Sequence, residues 1–440
     1  MMPVLKVLVL YDSTQSFTNT VIEHLHCLSG LDDAAVYFCH AGPESRLPVP
    51  LAAFDGLIIH YSVRVAFERI SASDALQISR FRGLKCLFIQ DEYDCAETTR
   101  RWIELLGLHL VFTCVPADRR EKVYPTSRFP RVTFVSNLTG YVPALLDNLP
   151  PPKPLRERRA VIGYRGRTLP PWYGTLAREK HVIGLRMRDI CDRRGIPVDI
   201  AWDERARIYG AAWYEFLGSC RATLGTESGS NVFDDDGSIR RAIEDDVKAD
   251  RSLSFDAIFE KHLRTREQPG LMNQVSPRIF EAIALRTALI LFEGNYSGVV
   301  QADRHYLSLK KDFSNVDDVL DRLQDDACIE AMTERAYADV IASGRYSYQT
   351  FATCVRGAID DAARGRRGEL LPADEALQAH LADAVGRGAV TTTPHRAKPP
   401  VLVAAWRSNL RARARRVLMP IWRRTPAVVR AAVRPVWSRL

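Results

Sequence analysis

Short apolar runs at 6–11, 34–40, 55–61, 85–90, 109–115 and 131–136 alternate with helical patterns near 18–29, 73–81 and 96–106. This alternation restricts the fold more than any other feature. Apolar strands of this length are buried on both faces, and a strand–helix–strand order brings successive strands together in parallel, with helices covering the sheet. Ligands of such sheets bind beyond the carboxyl ends of the strands. The residues at those ends are Asp12, His60, Gln90, Asp91, Glu92, Ser136 and Asn137.

A second alternating set follows, with strands at 159–164, 197–201, 222–224, 288–292 and 306–309 and helices at 174–194, 205–217, 316–323 and 326–343. Residues 239–270 are polar and read as a mostly helical insertion. Between the two sets lies LPPPKPLRER, residues 149–158, whose prolines and charges suit a linker. The expected organisation is α/β: residues 1–148 as a first Rossmann-like domain, 149–158 as the linker and 159–360 as a second Rossmann-like domain. A loosely ordered connector over 361–400 and a basic helical tail over 401–440 complete it.

Composition supports folded domains, since 46% of the residues are hydrophobic. The formal net charge is +8, and the ten arginines after Val401, with no acid among them, more than account for it. The body is thus near neutral and the basicity belongs to the tail. There Val403, Trp406, Leu410, Val417 and Ile421 fall near helical spacing, which describes a helix lying on an anionic leaflet. Trp406, Trp422 and Trp437 favour a membrane interface over nucleic acid as the tail's partner. Nine cysteines are scattered without a C-x-x-C pair, as expected of reduced thiols in a cytosolic protein. The apolar run at 4–10 reads as a strand and not a signal peptide, and no run reaches the roughly 20 apolar residues that span a bilayer. The expected location is cytoplasmic, peripheral on the inner face of the membrane.

The stretch 276–295, SPRIFEAIALRTALILFEGN, carries the most chemistry. Ser276 suits an N-cap, Pro277 suits the first helical position, and Ala288 begins a buried strand. The free N–H groups and dipole of such a helix start attract anions. Glu281, one turn further in, can hold sugar hydroxyls or remain a solvated carboxylate.

This segment, with the EGNYSG that closes it, resembles the donor-binding segment of GT-B glycosyltransferases, specifically the group 1 and spore-maturation-protein-like families. The resemblance implies two Rossmann-like domains facing a cleft and sugar transfer from a nucleotide-sugar donor to a glycan or lipid-linked acceptor. Surface polysaccharide or glycolipid assembly would be its setting. It implies that Glu281 holds the donor and that the backbone around Ser276 and Arg278 faces the diphosphate. It also implies that Arg165, Arg167 and Lys180 neutralise the leaving diphosphate. Two positions depart from the family pattern: Asn273 stands where an acid eight residues before Glu281 is usual, and Arg286 where a glycine commonly ends the helix.

Other groups remain open. Glu227, in the small-residue stretch 225–231, can bind hydroxyls or sit in a plain turn. His60, Asp91 and Glu92 are the base or acceptor-orienting candidates. Asp234, Asp235 and Asp236 contain the D-x-D that holds a divalent ion in metal-dependent transferases, but three acids before Gly237 also mark a helix start. The expectation is a metal-independent transferase without a cofactor. The alternative is a catalytically silent, glycosyltransferase-like scaffold protein at the membrane.

Overall fold

A computed structural model describes residues 5–144, 152–158, 160–364 and 375–397. The expected linker lies in part, and the basic tail wholly, outside the described residues.

The first set of apolar runs forms a six-stranded parallel sheet: β1 (Leu5–Tyr11), β2 (Ala34–His40), β3 (Gly56–Ile59), β4 (Leu84–Phe88), β5 (Leu110–Thr113) and β6 (Thr133–Ser136), in the order β2-β1-β3-β4-β5-β6. Along β1, Leu8 and Leu10 enter one core while Val7, Val9 and Tyr11 enter another, because successive side chains point to opposite faces. Helices α2 (Ala72–Arg80) and α3 (Ala96–Leu106) cover the first face and α1 (Asn19–Ser29) the second. A single turn, α4 (Arg120–Val123), precedes β6.

The second parallel sheet has five strands: β7 (Ala160–Arg165), β8 (Val198–Ala201), β9 (Cys220–Gly225), and, beyond an insertion, β12 (Ala288–Phe292) and β13 (Leu307–Leu309). Their order is β13-β12-β9-β7-β8. Helix α5 (Gly174–Arg194), with α10 (Val316–Gln324) and α11 (Asp326–Ala336), covers one face. Helices α6 (Ala211–Gly218) and α9 (Pro277–Ala284) cover the other. Both sheets place their first strand between the second and the third, so each has a switch point where successive connections part to opposite faces. That is where open α/β sheets bind ligands.

Several segments differ from the sequence expectation. The stretch 225–231 is not a loop throughout: β10 (Ser228–Ser230) pairs antiparallel with β11 (Met272–Gln274). Gly229, at φ 109, faces Met272 so closely that a Cβ would meet its carbonyl oxygen. The helix expected at 205–217 begins only at Ala211, after Gly210 in a conformation open to glycine (φ 63). The insertion holds α7 (Ser238–Ala249) and α8 (Phe255–Ile258), and the segment just before it ties the two halves together. Asp234 N–H donates to Tyr93 O at 2.9 Å, and Glu97 N–H to Asp235 O at 2.9 Å.

The ends of the second domain are also redrawn. Helix α12 (Tyr348–Arg364) packs Tyr348, Phe351, Val355 and Ile359 into the core of the first sheet, so the chain returns to that domain before residue 360. In the connector 361–400, α13 (Glu375–Gly386) is ordered and buries Leu381 and Ala384 in the other core of the first sheet. Thr391 then exchanges backbone hydrogen bonds with Phe38, covering the edge of β2 that would otherwise invite another strand. The apolar face of each of these elements, not its composition, decides its order.

Candidate functional site

A cavity of about 230 Å³ opens at the switch point of the second sheet, beyond the ends of β7 and β9. Tyr164, Gly225 and Thr226 come from the strand ends, Ser276, Arg278 and Ile279 from the start of α9, and Trp213 and Leu217 from α6. Tyr164 pins α5 against β7 by donating from its hydroxyl to Lys180 O at 2.8 Å, which sets Lys180 on the cavity wall. Ser276 has the extended backbone of an N-cap, but its side chain makes no capping bond, and the residue lines the cavity.

Three cations converge here: Arg167, Lys180 and Arg278. None has a carboxylate partner among the described residues. Lys180 Nζ donates to Ser228 Oγ at 3.3 Å, and burial, then Arg278 and Arg167, push its ammonium down to about 8 while Asp91 pulls it up. Arg278 donates to the backbone oxygen of Arg165 and stacks 4.9 Å from the centre of the Trp213 ring. Uncompensated positive charge, hydroxyls and a helix start make a site for an anion carrying more than one charge.

Glu281 lies behind this wall. It is buried, and Trp213 Nε1 donates to its Oε2 at 2.7 Å. Burial raises its carboxyl, against the Trp213 bond and the charge of Arg278. It therefore acts on the cavity by holding the indole edge. Trp213 was not singled out in the sequence; its signal was an indole N–H that needs a buried partner. Past the end of α9, Arg286 adopts the left-handed conformation (φ 48) for which a glycine is commonly used. Its guanidinium pairs with Glu334 at 2.6 Å and lies 3.5 Å from the centre of the Tyr337 ring, which offsets the strain.

Other expected site residues are committed elsewhere. Arg165 pairs with Asp199 at 2.9 Å, donates to Asp199 O at 2.8 Å, and covers the Phe216 ring, so it fastens β7 to β8 and does not face the cavity. Glu227 is buried, with Oε1 accepting from Asn295 N–H at 3.1 Å and Tyr296 N–H at 2.8 Å, and Oε2 accepting from Asn273 Nδ2 at 2.6 Å. Among the three aspartates, Asp234 accepts from the Ile239 and Arg240 N–H groups, Asp235 pairs with Arg100, and Asp236 accepts from Ser238 N–H. They start a helix and fasten the domains.

The first sheet has a cavity of about 270 Å³ at its own switch point, lined by Gln15, His60, Gln90 and Asp91 among others. His60 is fully buried: Nδ1 accepts from Ser62 N–H at 3.1 Å and Nε2 donates to His24 Nδ1 at 3.1 Å. Burial and His24 hold it well below the ordinary imidazole range, so it is a neutral core histidine and not a base for an acceptor. Glu92 is turned inward, bonded by the Thr113 hydroxyl and by Cys114 N–H at 3.2 Å, and burial pushes it up to about 8. Only Asp91 of the three is exposed, in the left-handed region (φ 58), where it accepts from the Tyr93 hydroxyl at 2.7 Å.

The fold and the site define a two-domain parallel α/β protein with a cation-lined cavity at the switch point of its second sheet. No protein-family model matches the sequence, and no curated protein matches it. Similar solved structures include an α-glucosyltransferase in complex with UDP and a 13-mer DNA containing an HMU base (9% identity, 81% of this chain, 99% of that chain, TM-score 0.47). Another is Anabaena HepE in complex with UDP-glucose (13%, 81%, 100%, TM-score 0.46). A third is a DNA-modifying β-glucosyltransferase (12%, 81%, 100%, TM-score 0.47). The fold class rests on the strand orders above, and the functional reading on the cavity itself.

Proposed function

We propose that this chain is a glycosyltransferase that moves a sugar from a nucleotide-sugar donor to a hydroxyl of a glycan or lipid-linked acceptor. The observation that carries the reading is the convergence of Arg167, Lys180 and Arg278, without carboxylate partners among the described residues, at the switch point of the second sheet. In the reaction the bond from the anomeric carbon to the diphosphate oxygen breaks, a bond from the acceptor oxygen to that carbon forms, and the hydroxyl proton passes to a base or to water. Charge develops on the departing diphosphate, and preorganised cations stabilise it. Ser276 and the start of α9 add hydrogen-bond donors, and Trp213, held by Glu281, provides a flat wall for the nucleoside. Asp91 remains the base or acceptor-orienting candidate. Its charge favours the ammonium form of Lys180.

The test is a thermal-shift panel of UDP- and GDP-sugars on the full chain. Binding raises the melting temperature, because the ligand has no site in the unfolded state. The shift should shrink in Arg278→Ala. A panel without any shift, or one unaffected by Arg278→Ala, rejects the reading. A scaffold without turnover is the second reading, favoured by the burial of His60 and Glu92. It predicts nucleotide-sugar binding with no transfer or hydrolysis.

Among the described residues no helix is long and apolar enough to cross a membrane. The ten arginines and three tryptophans after Val401 support peripheral attachment to an anionic leaflet. Deleting 401–440 should abolish binding to phosphatidylglycerol vesicles. Tight, salt-sensitive DNA binding without vesicle binding would reverse that assignment.

A further inference from the structure

The cavity of the first sheet, beyond the carboxyl ends of β3 and β4, has a largely apolar wall. Phe17, Val21, Tyr61, Ala66 and Phe67 line it, and all five are half-buried, so a ligand in the cavity can reach them. Phe17 and Phe67 belong to neither core of the first sheet. Both rings thus keep apolar surface that the fold itself does not cover. In a concave site such surface suits the apolar part of a ligand.

Two charges interrupt this wall. Arg64 is exposed and left-handed (φ 51), and its guanidinium lies 4.3 Å from the centre of the Phe67 ring. It has no salt bridge among the described residues, and a free guanidinium suits phosphate oxygens. Asp91 takes the Tyr93 hydroxyl on Oδ1, which leaves Oδ2 open. A carboxylate repels a second anion but accepts from a hydroxyl. Other polar side chains here are already engaged. Ser62 Oγ accepts from Asp12 N–H at 3.0 Å, and the Gln90 amide donates to Thr139 O at 3.3 Å. A soluble glycan, hydroxylated on every side, finds few partners in such a wall.

The described chain ends beside this cavity. His395 N–H donates to the Tyr11 hydroxyl at 2.8 Å. Arg396 donates to Asn19 Oδ1 at 2.6 Å and to the backbone oxygen of Phe17 at 3.4 Å. The segment is therefore fastened to a residue that lines the cavity. Val401 follows five residues later, a reach of at most about 18 Å for an extended chain. With it begin the ten arginines proposed to lie on an anionic leaflet. A leaflet bound there is held near the apolar wall.

We propose that this cavity takes the acceptor as a membrane lipid and not as a soluble glycan. The lipid's apolar chain lies against Phe17 and Phe67, its phosphate meets Arg64, and its hydroxyl is presented to Asp91. The proposal rests on the transferase reading for the fate of that hydroxyl, and on the wall of the cavity for the rest.

The test uses the full chain and calorimetric titration with dihexanoylphosphatidylglycerol, kept monomeric below its micelle threshold. This probe joins apolar chains, a phosphate and hydroxyls in one molecule. Glycerol 1-phosphate lacks the chains, and maltose and cellobiose lack both chains and phosphate. Three variants are compared with the wild type: Phe17→Ala, Phe67→Ala and Arg64→Asn, the last because asparagine tolerates left-handed backbone. Each should weaken lipid binding about five- to ten-fold, the loss of one ring contact or one charged hydrogen bond. Affinity for UDP and GDP, and binding of the tail to phosphatidylglycerol vesicles, should not change. Glycerol 1-phosphate and the disaccharides should bind at least ten-fold more weakly than the lipid.

Lipid affinity equal to the wild type's in all three variants overturns the proposal, because the lipid would then sit elsewhere, on the tail for example. So does a wild type that does not bind the lipid, or one that binds glycerol 1-phosphate as tightly. Disaccharide binding that the same variants weaken, while they melt like the wild type, assigns the cavity to a glycan and also overturns it. If neither UDP nor GDP binds the wild type, the transferase reading fails, and the lipid titration still decides what the cavity holds.

Discussion

Lys180 gives the sharpest test of the cation cluster, because it is the one member whose charge can be switched by pH. Replacing it with methionine keeps the length of the side chain and removes the charge. An ion pair at 4 Å and an effective dielectric constant near 20 is worth about 4 kcal/mol before desolvation. Hydrogen bonds to charged groups retain about 1.5–3 kcal/mol. Lys180→Met should therefore weaken nucleoside diphosphate binding by roughly 10- to 150-fold at pH 7.

The pH dependence follows with a definite sign. In the free protein burial and the two neighbouring arginines hold Lys180 near 8. A bound diphosphate favours the charged ammonium and raises its pKa, so binding takes up a proton at higher pH. Wild-type affinity should be flat from pH 7 to about 8 and then fall toward that of Lys180→Met, while Arg167 and Arg278 stay charged throughout. Calorimetry with UDP and GDP from pH 7 to 9.5 at constant ionic strength reads both effects. It begins above the second phosphate pKa near 6 and controls for screening. If Lys180→Met binds as tightly as the wild type, or loses affinity above pH 8 in parallel with it, Lys180 does not contact the anion.

Trp213→Phe removes the donor from buried Glu281 and should cost about 1–3 kcal/mol in urea unfolding; no loss would mean that the carboxyl finds another partner. Burial holds Glu92 protonated up to about 8, so the folded state binds the extra proton between the ordinary carboxyl range and pH 8, and stability falls as pH rises through that window. Glu92→Gln should flatten this slope, measured as the unfolding midpoint against pH, and an unaltered slope would assign it to other groups. A Cβ at Gly140 would lie 2.8 Å from Pro277 Cγ, where the two domains meet at the start of α9. Gly140→Ala should then destabilise by about 1–3 kcal/mol, and a melting temperature equal to the wild type's would show that the domains part freely there.

Much of this architecture is legible in local pattern. The apolar runs become the strands of two parallel sheets, 174–194 is helical over its whole length, and Ser276-Pro277 starts α9. These follow from burial on both faces, from helical periodicity and from the fixed φ of proline, all properties of neighbouring residues. Strand ends could be named from the sequence, but not which way each side chain turns. His60 and Glu92 go into the core while Asp91, next to Glu92, stays exposed. Arg165 and Arg167 are two residues apart, yet Asp199 on the neighbouring strand claims the first and leaves the second to the cavity.

The acid missing at position 273 shows the same division. Local pattern reports an asparagine, and only the β10–β11 pairing brings Glu227 to it across 46 residues. The return of α12 to the first sheet was likewise beyond sequence, because an amphipathic helix specifies an apolar face without naming the surface that covers it. Sequence alone thus determined the elements and the stretch that builds the cation-lined cavity. Tertiary structure decided which charges remain free to meet a ligand, because a charge is available only where packing brings it no partner.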